Sequence, residues 1–431
     1  MYFIIEDEAQ LEQLEQTNEC FIQLVTLNSH FHPKLTSPSL IYYNDTKKGY
    51  IFVIQHSEGF SLNIKSVEAF LNKIDKVYLL DKKFHSYFLD IPKSIDLHFI
   101  HLDKKNEYNG FECDTLVHRD YSLKYGPIAN LNEIIPISKH YERCECLYEL
   151  VKGYFNLEID TKLQDEMVES YKTVEEAGIE IDLVKFLNKY PLEHREYSIK
   201  GNTIYSYYNL YNLTGRPTNS YNNVNFVAIP KDREYRECFV HKNDLLVEFD
   251  FDSYHLRLIS KLLNQACPNE SMHTFLGKIY FNKEALTDEE YKESKAITFK
   301  QLYGGIEDQY KHIEFFKNLD QYIKDQWKRY NSQGALILPT GRILNKLPGM
   351  NKLKLFNYLI QNMETKENIY KIKYINEYLK NKKSKLILIT YDSFLFDFAV
   401  EEGKETLQAI KTILESGGMV VKHKYGLNYN L

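Results

Sequence analysis

Leu245-Leu-Val-Glu-Phe-Asp-Phe-Asp-Ser-Tyr-His-Leu-Arg-Leu258 opens as an apolar strand-like run, turns at an acid, Asp250, and continues with helical spacing. A second run of this kind, Ile387-Leu-Ile-Thr-Tyr-Asp-Ser-Phe-Leu-Phe-Asp397, brings Asp392 to a turn. Between them, Lys295-Ala-Ile-Thr-Phe-Lys-Gln-Leu-Tyr-Gly304 sets Lys295, Phe299 and Tyr303 at i, i+4 and i+8. An α-helix drifts only about 40° per four residues, so these three share one face.

These residue types suit metal-dependent nucleotidyl transfer. Joining a 3′-hydroxyl to an α-phosphate requires an activated oxygen and a neutralised leaving pyrophosphate, which two divalent ions roughly 3.5–4 Å apart supply together. Hard Mg²⁺ favours carboxylate oxygens and keeps water and substrate phosphates as its other ligands. Asp250 and Asp392 are the expected metal ligands, and the Lys295 face offers a cation to phosphates, a ring to a sugar and a ring to a base. A lone acid at a strand end is usually a turn residue, and a Lys/Phe/Tyr stripe is usually half core and half surface. Their joint occurrence in this order points to a site.

From about residue 141 to the end, the chain resembles the family A DNA polymerases, the bacterial DNA polymerase I family. The three segments resemble that family's motifs A, B and C. Thr214-Gly-Arg216 with Asn225 and Ile229-Pro230 resembles its T-G-R…N-x-x-x-I-P segment, and Ser271-Met-His273 its fingers segment. Gly341-Arg342 and Asn357-x-x-x-Gln361 resemble its G-R…N-x-x-x-Q stretch, and Gly426-Leu-Asn-Tyr429 its C-terminal G-x-N-W. The resemblance implies that Asp250, Asp392 and the Phe251 carbonyl hold two Mg²⁺ ions, with Mn²⁺ as a substitute. Lys295, a catalytic residue, and His273 would bind triphosphate, Phe299 and His255 would meet the nucleotide sugar, and Tyr303 would stack at the templating position. Arg216, Asn357 and Gln361, with Arg257, would contact DNA, the first three through minor-groove acceptors that all base pairs share.

The chain departs from that pattern at informative places. His255 stands where the family has the Glu that blocks a ribose 2′-hydroxyl; an imidazole is bulky enough to block but differs in hydrogen bonding and charge. Tyr391-Asp392-Ser393 replaces His-Asp-Glu, removing a carboxylate and resembling the His-Asp-Ser of single-subunit phage RNA polymerases. Tyr291 stands where the family has an Arg, leaving Lys292 or Lys300 as phosphate partners.

A chain of 431 residues can bury a substantial core in two or three domains. No signal-peptide pattern and no run of about 18 apolar residues is visible, so the expectation is a soluble, intracellular protein with no membrane partner; the resemblance implies the cytoplasm of a bacterial or phage-infected cell. The six cysteines lack zinc spacing and read as free thiols. A net charge of −6 is unusual for a nucleic-acid enzyme, but four of the nine arginines, Arg216, Arg233, Arg236 and Arg257, lead into and through the first motif. Between Asn351 and Lys385, nine lysines face three glutamates, enough for a backbone-binding surface.

Residues 1–140 read as short strands, Phe21–Asn28, Leu40–Tyr43, Tyr50–Gln55, Val77–Leu80 and Ile95–Ile100, with Val67–Lys73 helical. They resemble the ribonuclease-H-like 3′–5′ exonuclease domain of the same family. Its metal-holding acids would fall near Thr26, Asn28 and His85, which cannot hold Mg²⁺, with Asp114 and Glu145 as remaining acids. Residues 141–213 would form a connector and reduced thumb, and 214–431 the palm and fingers, with fingers at about 262–333 and Trp327 as a packing anchor. The expected architecture is therefore α/β (α+β): a right-hand palm and fingers with a reduced thumb, preceded by a degenerate exonuclease-like domain. The expected function is template-directed addition of deoxynucleotides to a primer, with primer–template DNA, dNTPs and a replication or processivity partner, without proofreading and with low processivity. The alternatives are an RNA-synthesising or primer-making enzyme and a catalytically silent nucleic-acid-binding relic.

Overall fold

The computed structural model describes residues 2–28, 32–106, 113, 120, 124, 131–157, 160–191, 197–219, 224–230 and 233–431. It divides into two compact units, Met1–Lys172 with Glu196–Gly201, and Thr173–Arg195 with Asn202–Leu431.

The first unit is built on a six-stranded sheet of β1 (Phe3–Ile5), β2 (Glu19–Thr26), β3 (Pro38–Asn44), β4 (Gly49–Val53), β5 (Lys76–Leu79) and β6 (Ser94–Asp96), in the order β1-β4-β3-β2-β5-β6. Strands β2, β3 and β4 form an antiparallel meander, whereas β5 and β6 run parallel to β2 and β1 runs parallel to β4. Strand alternation divides the side chains between two cores. Cys20, Ile22, Leu24, Ile41, Tyr43 and Phe52 pack with Val67, Phe70 and Leu71 of the helix Ile64–Leu71. Phe21, Leu40, Tyr42, Ile51 and Val53 pack with Cys144, Leu147, Tyr148 and Val151 of the helix Ile137–Val151. Because that helix covers one sheet face, the unit extends past residue 140.

Two expectations for this region need correction. Ile95–Ile100 is strand only to Asp96; the Asp96 side chain accepts the His98 N–H and starts the helix Leu97–Lys105. Cys113 and Cys146, 33 residues apart with Cα atoms 6.0 Å apart, form a disulfide, leaving Cys20, Cys144, Cys238 and Cys267 as the free thiols. Asp114 lies outside the described residues, and Glu145 accepts the Tyr42 hydroxyl. Thr26 is buried with its hydroxyl on the Asn28 carbonyl, and buried His85 accepts the Leu24 N–H.

The second unit centres on an antiparallel sheet of β7 (Leu245–Phe251), β8 (Lys385–Thr390), β9 (Ser393–Phe398) and β10 (Val421–Gly426), in the order β8-β9-β7-β10. Its helices are α1 (Tyr254–Leu262), α2 (Met272–Phe281), α3 (Asp288–Gly304), α4 (Glu314–Gln333), α5 (Lys352–Leu379) and α6 (Gly403–Glu415). A capping box at Thr287 and Glu290 starts α3. Leu256, Ile259, Met272, Leu276, Leu302, Phe316, Leu319, Ile323, Phe356 and Ile360 join α1 to α5 in one core. Trp327 is a partly buried packing residue, stacked on Tyr330 at 5.8 Å.

Helix α5 is also a polar spine. Fully buried Asn362 accepts the Thr340 N–H at 2.8 Å and donates to the Thr214 carbonyl at 3.2 Å, tying two loops to one helix. Gly215, at φ 72°, lies against it, and an added Cβ would meet the Asn362 amide. Replacing Asn362 by Leu strands both backbone groups, so equilibrium urea unfolding should show a loss of about 1–3 kcal/mol.

Candidate active site

The β7–β9 register pairs Asp250 with Ser393, one residue beyond the hairpin tip that carries Asp392. The Phe251 N–H donates to the Asp392 carbonyl at 2.9 Å, fastening the tip to the end of β7. At that tip Tyr391 has φ 63°, a costly left-handed conformation for a bulky residue. Two contacts hold it: the Arg216 guanidinium lies 3.4 Å from its ring centroid, and the Asn368 amide donates to its carbonyl at 3.0 Å. Asn368 also accepts the Tyr254 hydroxyl at 2.7 Å, so α5 links the hairpin tip to the start of α1.

Asp250 and Asp392 open onto a cleft of about 300 Å³, lined also by Arg216, Asp252, His255, His273, Tyr291, Lys295, Phe299, Tyr303, Glu364 and Lys422. The expected face of α3 is present: Ser294, Thr298, Gln301 and Leu302 are buried, whereas Phe299 and Tyr303 are exposed to the cleft, their rings stacked at 6.2 Å. His273 on α2 lies 5.4 Å from Phe299, and the Lys295 ammonium sits over Tyr291 at 5.1 Å. His255 and the Phe251 carbonyl's residue line the same cleft.

Burial and local charge together set the site's protonation. Burial foremost, then Glu364, raises the Asp392 carboxyl above the usual range, against the opposing pull of Arg216 and His255. Burial also pushes Asp252 up, but the Lys422 ammonium at 3.1 Å and the Ser253 and Ser271 hydroxyls outweigh it, for a net downward shift. Burial, reinforced by Lys295, lowers His273 to about 4, and its Nδ1 is buried without a hydrogen-bond partner. Burial and Glu364 raise the Tyr303 phenol to about 12.

The carboxylates suit a hard divalent ion that draws its remaining ligands from water and phosphate. Among the described residues, no group of three or more His, Cys, Asp or Glu side chains is arranged to hold a metal, so Asp250 and Asp392 would need oxygens from outside this set. Ser393 donates to Glu248 at 2.8 Å. Glu248 lies two residues before Asp250, on the same side of β7, and therefore keeps an acid near that position.

Several expected DNA contacts take another form. Arg257 is 2% exposed and donates to the carbonyls of Asp252, Pro268 and Glu270, which corrects its assignment to DNA: it locks the turn after β7 to the start of α2. Arg342 is likewise buried and donates to the carbonyls of Asn212 and Leu213. Asn357 and Gln361 share a partly exposed face of α5 and are bonded to each other at 3.1 Å, outside the cleft lining. Arg216 lines the cleft with its fork on Glu364. Glu364, Asn368, Asp252 and Lys422 escape sequence reading because the partners Tyr391, His255, Tyr254, Arg216 and the Asp252–Lys422 pair itself lie 23 to 170 positions away; only the i, i+4 spacing of Glu364 and Asn368 hinted at a shared face.

No protein-family model matches the chain. Among solved structures, it is similar to the polymerase domain of Pol1 from M. smegmatis, determined in complex with DNA primer–template and dNTP. The similarity covers 100% of this chain and 99% of that one at 14% identity, with a TM-score of 0.71. The chain, mixed α/β, thus shares the fold of that polymerase domain. Among the described residues, no helix is long and apolar enough to cross a membrane.

Two outcomes follow from the site's charges. The unfolded chain protonates His273 near 6.5 and the folded chain near 4, so between these values the unfolded state holds more protons and stability falls as pH falls. A thermal-midpoint series should show this decline, and His273→Asn should flatten it. Arg257→Ala should lower stability by about 3 kcal/mol or more by stranding three carbonyls, as equilibrium urea unfolding would show.

Proposed function

We propose that the protein is a template-directed DNA polymerase that adds deoxynucleotides to a primer 3′-end. The observation that carries this reading is the convergence of Asp250, Asp392, Lys295, Phe299 and Tyr303 on one cleft. The similarity to a polymerase domain solved with primer–template and dNTP supports the same partners here. Two Mg²⁺ ions held by Asp250 and Asp392, with the Phe251 carbonyl as a further donor, would supply charge neutralisation and activation of the attacking oxygen.

The chain's own groups would arrange the substrates. Lys295 presents its ammonium to the triphosphate, and the lowered His273 serves as a neutral hydrogen-bond donor at neutral pH. Phe299 packs on the sugar, and Tyr303 stacks at the templating position. Lys422, paired to Asp252 at 3.1 Å, adds positive charge beside Asp250. Partly exposed Asn357 and Gln361 can exchange their mutual bond for minor-groove acceptors.

We further propose that the N-terminal unit is an exonuclease-like domain without activity, since Thr26, Asn28 and His85 are buried or spent on internal bonds. Its antiparallel β2, β3 and β4, extended by parallel β5 and β6 on one side and by β1 on the other, support the ribonuclease-H-like reading. The region between Leu183 and Ile199 is short for a thumb, so synthesis would be distributive.

Primer extension on a 5′-labelled primer–template with Mg²⁺ tests both readings. The expected result is short, distributive extension with dNTPs, reduced by about 10²-fold or more in Asp250→Ala and Asp392→Ala, and no primer shortening when nucleotides are withheld. Extension with NTPs alone would favour the RNA-synthesising alternative that Ser393 and His255 suggest. Synthesis unaffected by either substitution would remove the site assignment.

A further inference from the structure

The His255 ring is held from both sides. Its Nδ1 lies 2.6 Å from the Tyr303 hydroxyl and its Nε2 lies 2.6 Å from a Glu364 carboxylate oxygen. A carboxylate only accepts, so Nε2 carries the proton toward Glu364, and on a neutral ring Nδ1 accepts the Tyr303 O–H. The three residues come from α1, α3 and α5, and all line the cleft that holds Asp250 and Asp392. Glu364 is almost fully buried, its side chain 1% exposed, and both its oxygens accept from the Arg216 fork at 2.9 Å. Arg216 in turn lies over Tyr391, the residue before Asp392.

We infer that Glu364 is the positioning residue of a sugar gate: it fixes the imidazole of His255 against Tyr303, so that the ring closes the space a ribose 2′-hydroxyl would enter. This rests on the DNA-synthesis reading above. An imidazole with one anchored nitrogen can still turn about its side-chain bonds; two hydrogen bonds at opposite ring edges remove that freedom. Burial of Glu364 excludes competing water, and the Arg216 fork prevents the carboxylate from following the ring if it moves. The acid that the polymerase pattern places on α1 is therefore supplied from α5, one residue removed from the steric block and acting through it. Because Arg216 also braces the tip that carries Asp392, the gate and the metal-ligand hairpin share one rigid support.

The test compares kcat/KM for a matched dNTP and NTP in wild type, Glu364→Met, Glu364→Gln, His255→Ala and the His255→Ala/Glu364→Met double variant. Met keeps the length of the side chain without an acceptor; Gln has one acceptor oxygen where the carboxylate uses two, and it covers the case in which the Met variant does not fold. The expected result is a dNTP preference lowered about tenfold or more by Glu364→Met and in the same direction by Glu364→Gln. In the His255→Ala background, Glu364→Met should change the ratio by no more than about twofold, since Glu364 acts through the ring. A change of equal size in both backgrounds, or an unchanged ratio in both single Glu364 variants, overturns the gate while leaving the polymerase reading intact. Wild-type protein that extends primers with neither nucleotide class overturns the polymerase reading and the gate with it.

Discussion

The pairing of β7 with β9, from Leu245 opposite Phe398 to Asp250 opposite Ser393, decides where Asp250 and Asp392 lie in the cleft. Side chains alternate along a strand, so this register sends Phe249 and Phe251 into the core and Asp250 and Glu248 to the other face. It also brings the Asp392 hairpin tip level with the end of β7, where the Phe251 N–H closes the gap. The helices refine this arrangement. Asn362, Glu364 and Asn368, all buried on α5, reach the Thr214–Arg216 loop, His255 on α1 and the Tyr391 tip. These buried polar groups have their partners at hand, and the cost of desolvating them is offset by a fixed geometry.

Local patterns in the sequence disclosed the parts of this system that short-range physics controls. The apolar runs ending at Asp250 and Asp392 became β7 and β8, and the i, i+4, i+8 face of α3 reached the cleft as spacing required. The helix expected at Val67–Lys73 formed at Ile64–Leu71, a shift of a few residues. In the N-terminal unit, Phe21–Asn28, Leu40–Tyr43, Tyr50–Gln55 and Val77–Leu80 correspond to β2, β3, β4 and β5 with shifts of a few residues.

What escaped sequence reading depends on long-range packing. Glu364 lies 109 positions from His255 and 148 from Arg216, and a lone Glu on a lysine-rich helix carries no mark of burial. Arg257 follows the motif as a surface cation would, yet the turn after β7 and the loop before α2 wrap its guanidinium in carbonyls. The disulfide joins cysteines without a recognisable spacing. Asp96 hides its role for a different reason: it sits inside an apolar run, and its action as a cap depends on the chain turning there.

The Asp392 hairpin has only Tyr391 and Asp392 between paired Thr390 and Ser393. A loop this short has no slack in which to absorb a length change. One inserted residue would either turn the acid away from β7 or shift the following strand so that Phe394 and Phe396 exchanged sides with Leu395. The tip can therefore change in identity far more freely than in length. Sequence drift at this point is expected to proceed by substitution, with insertions and deletions displaced to the loops between the helices.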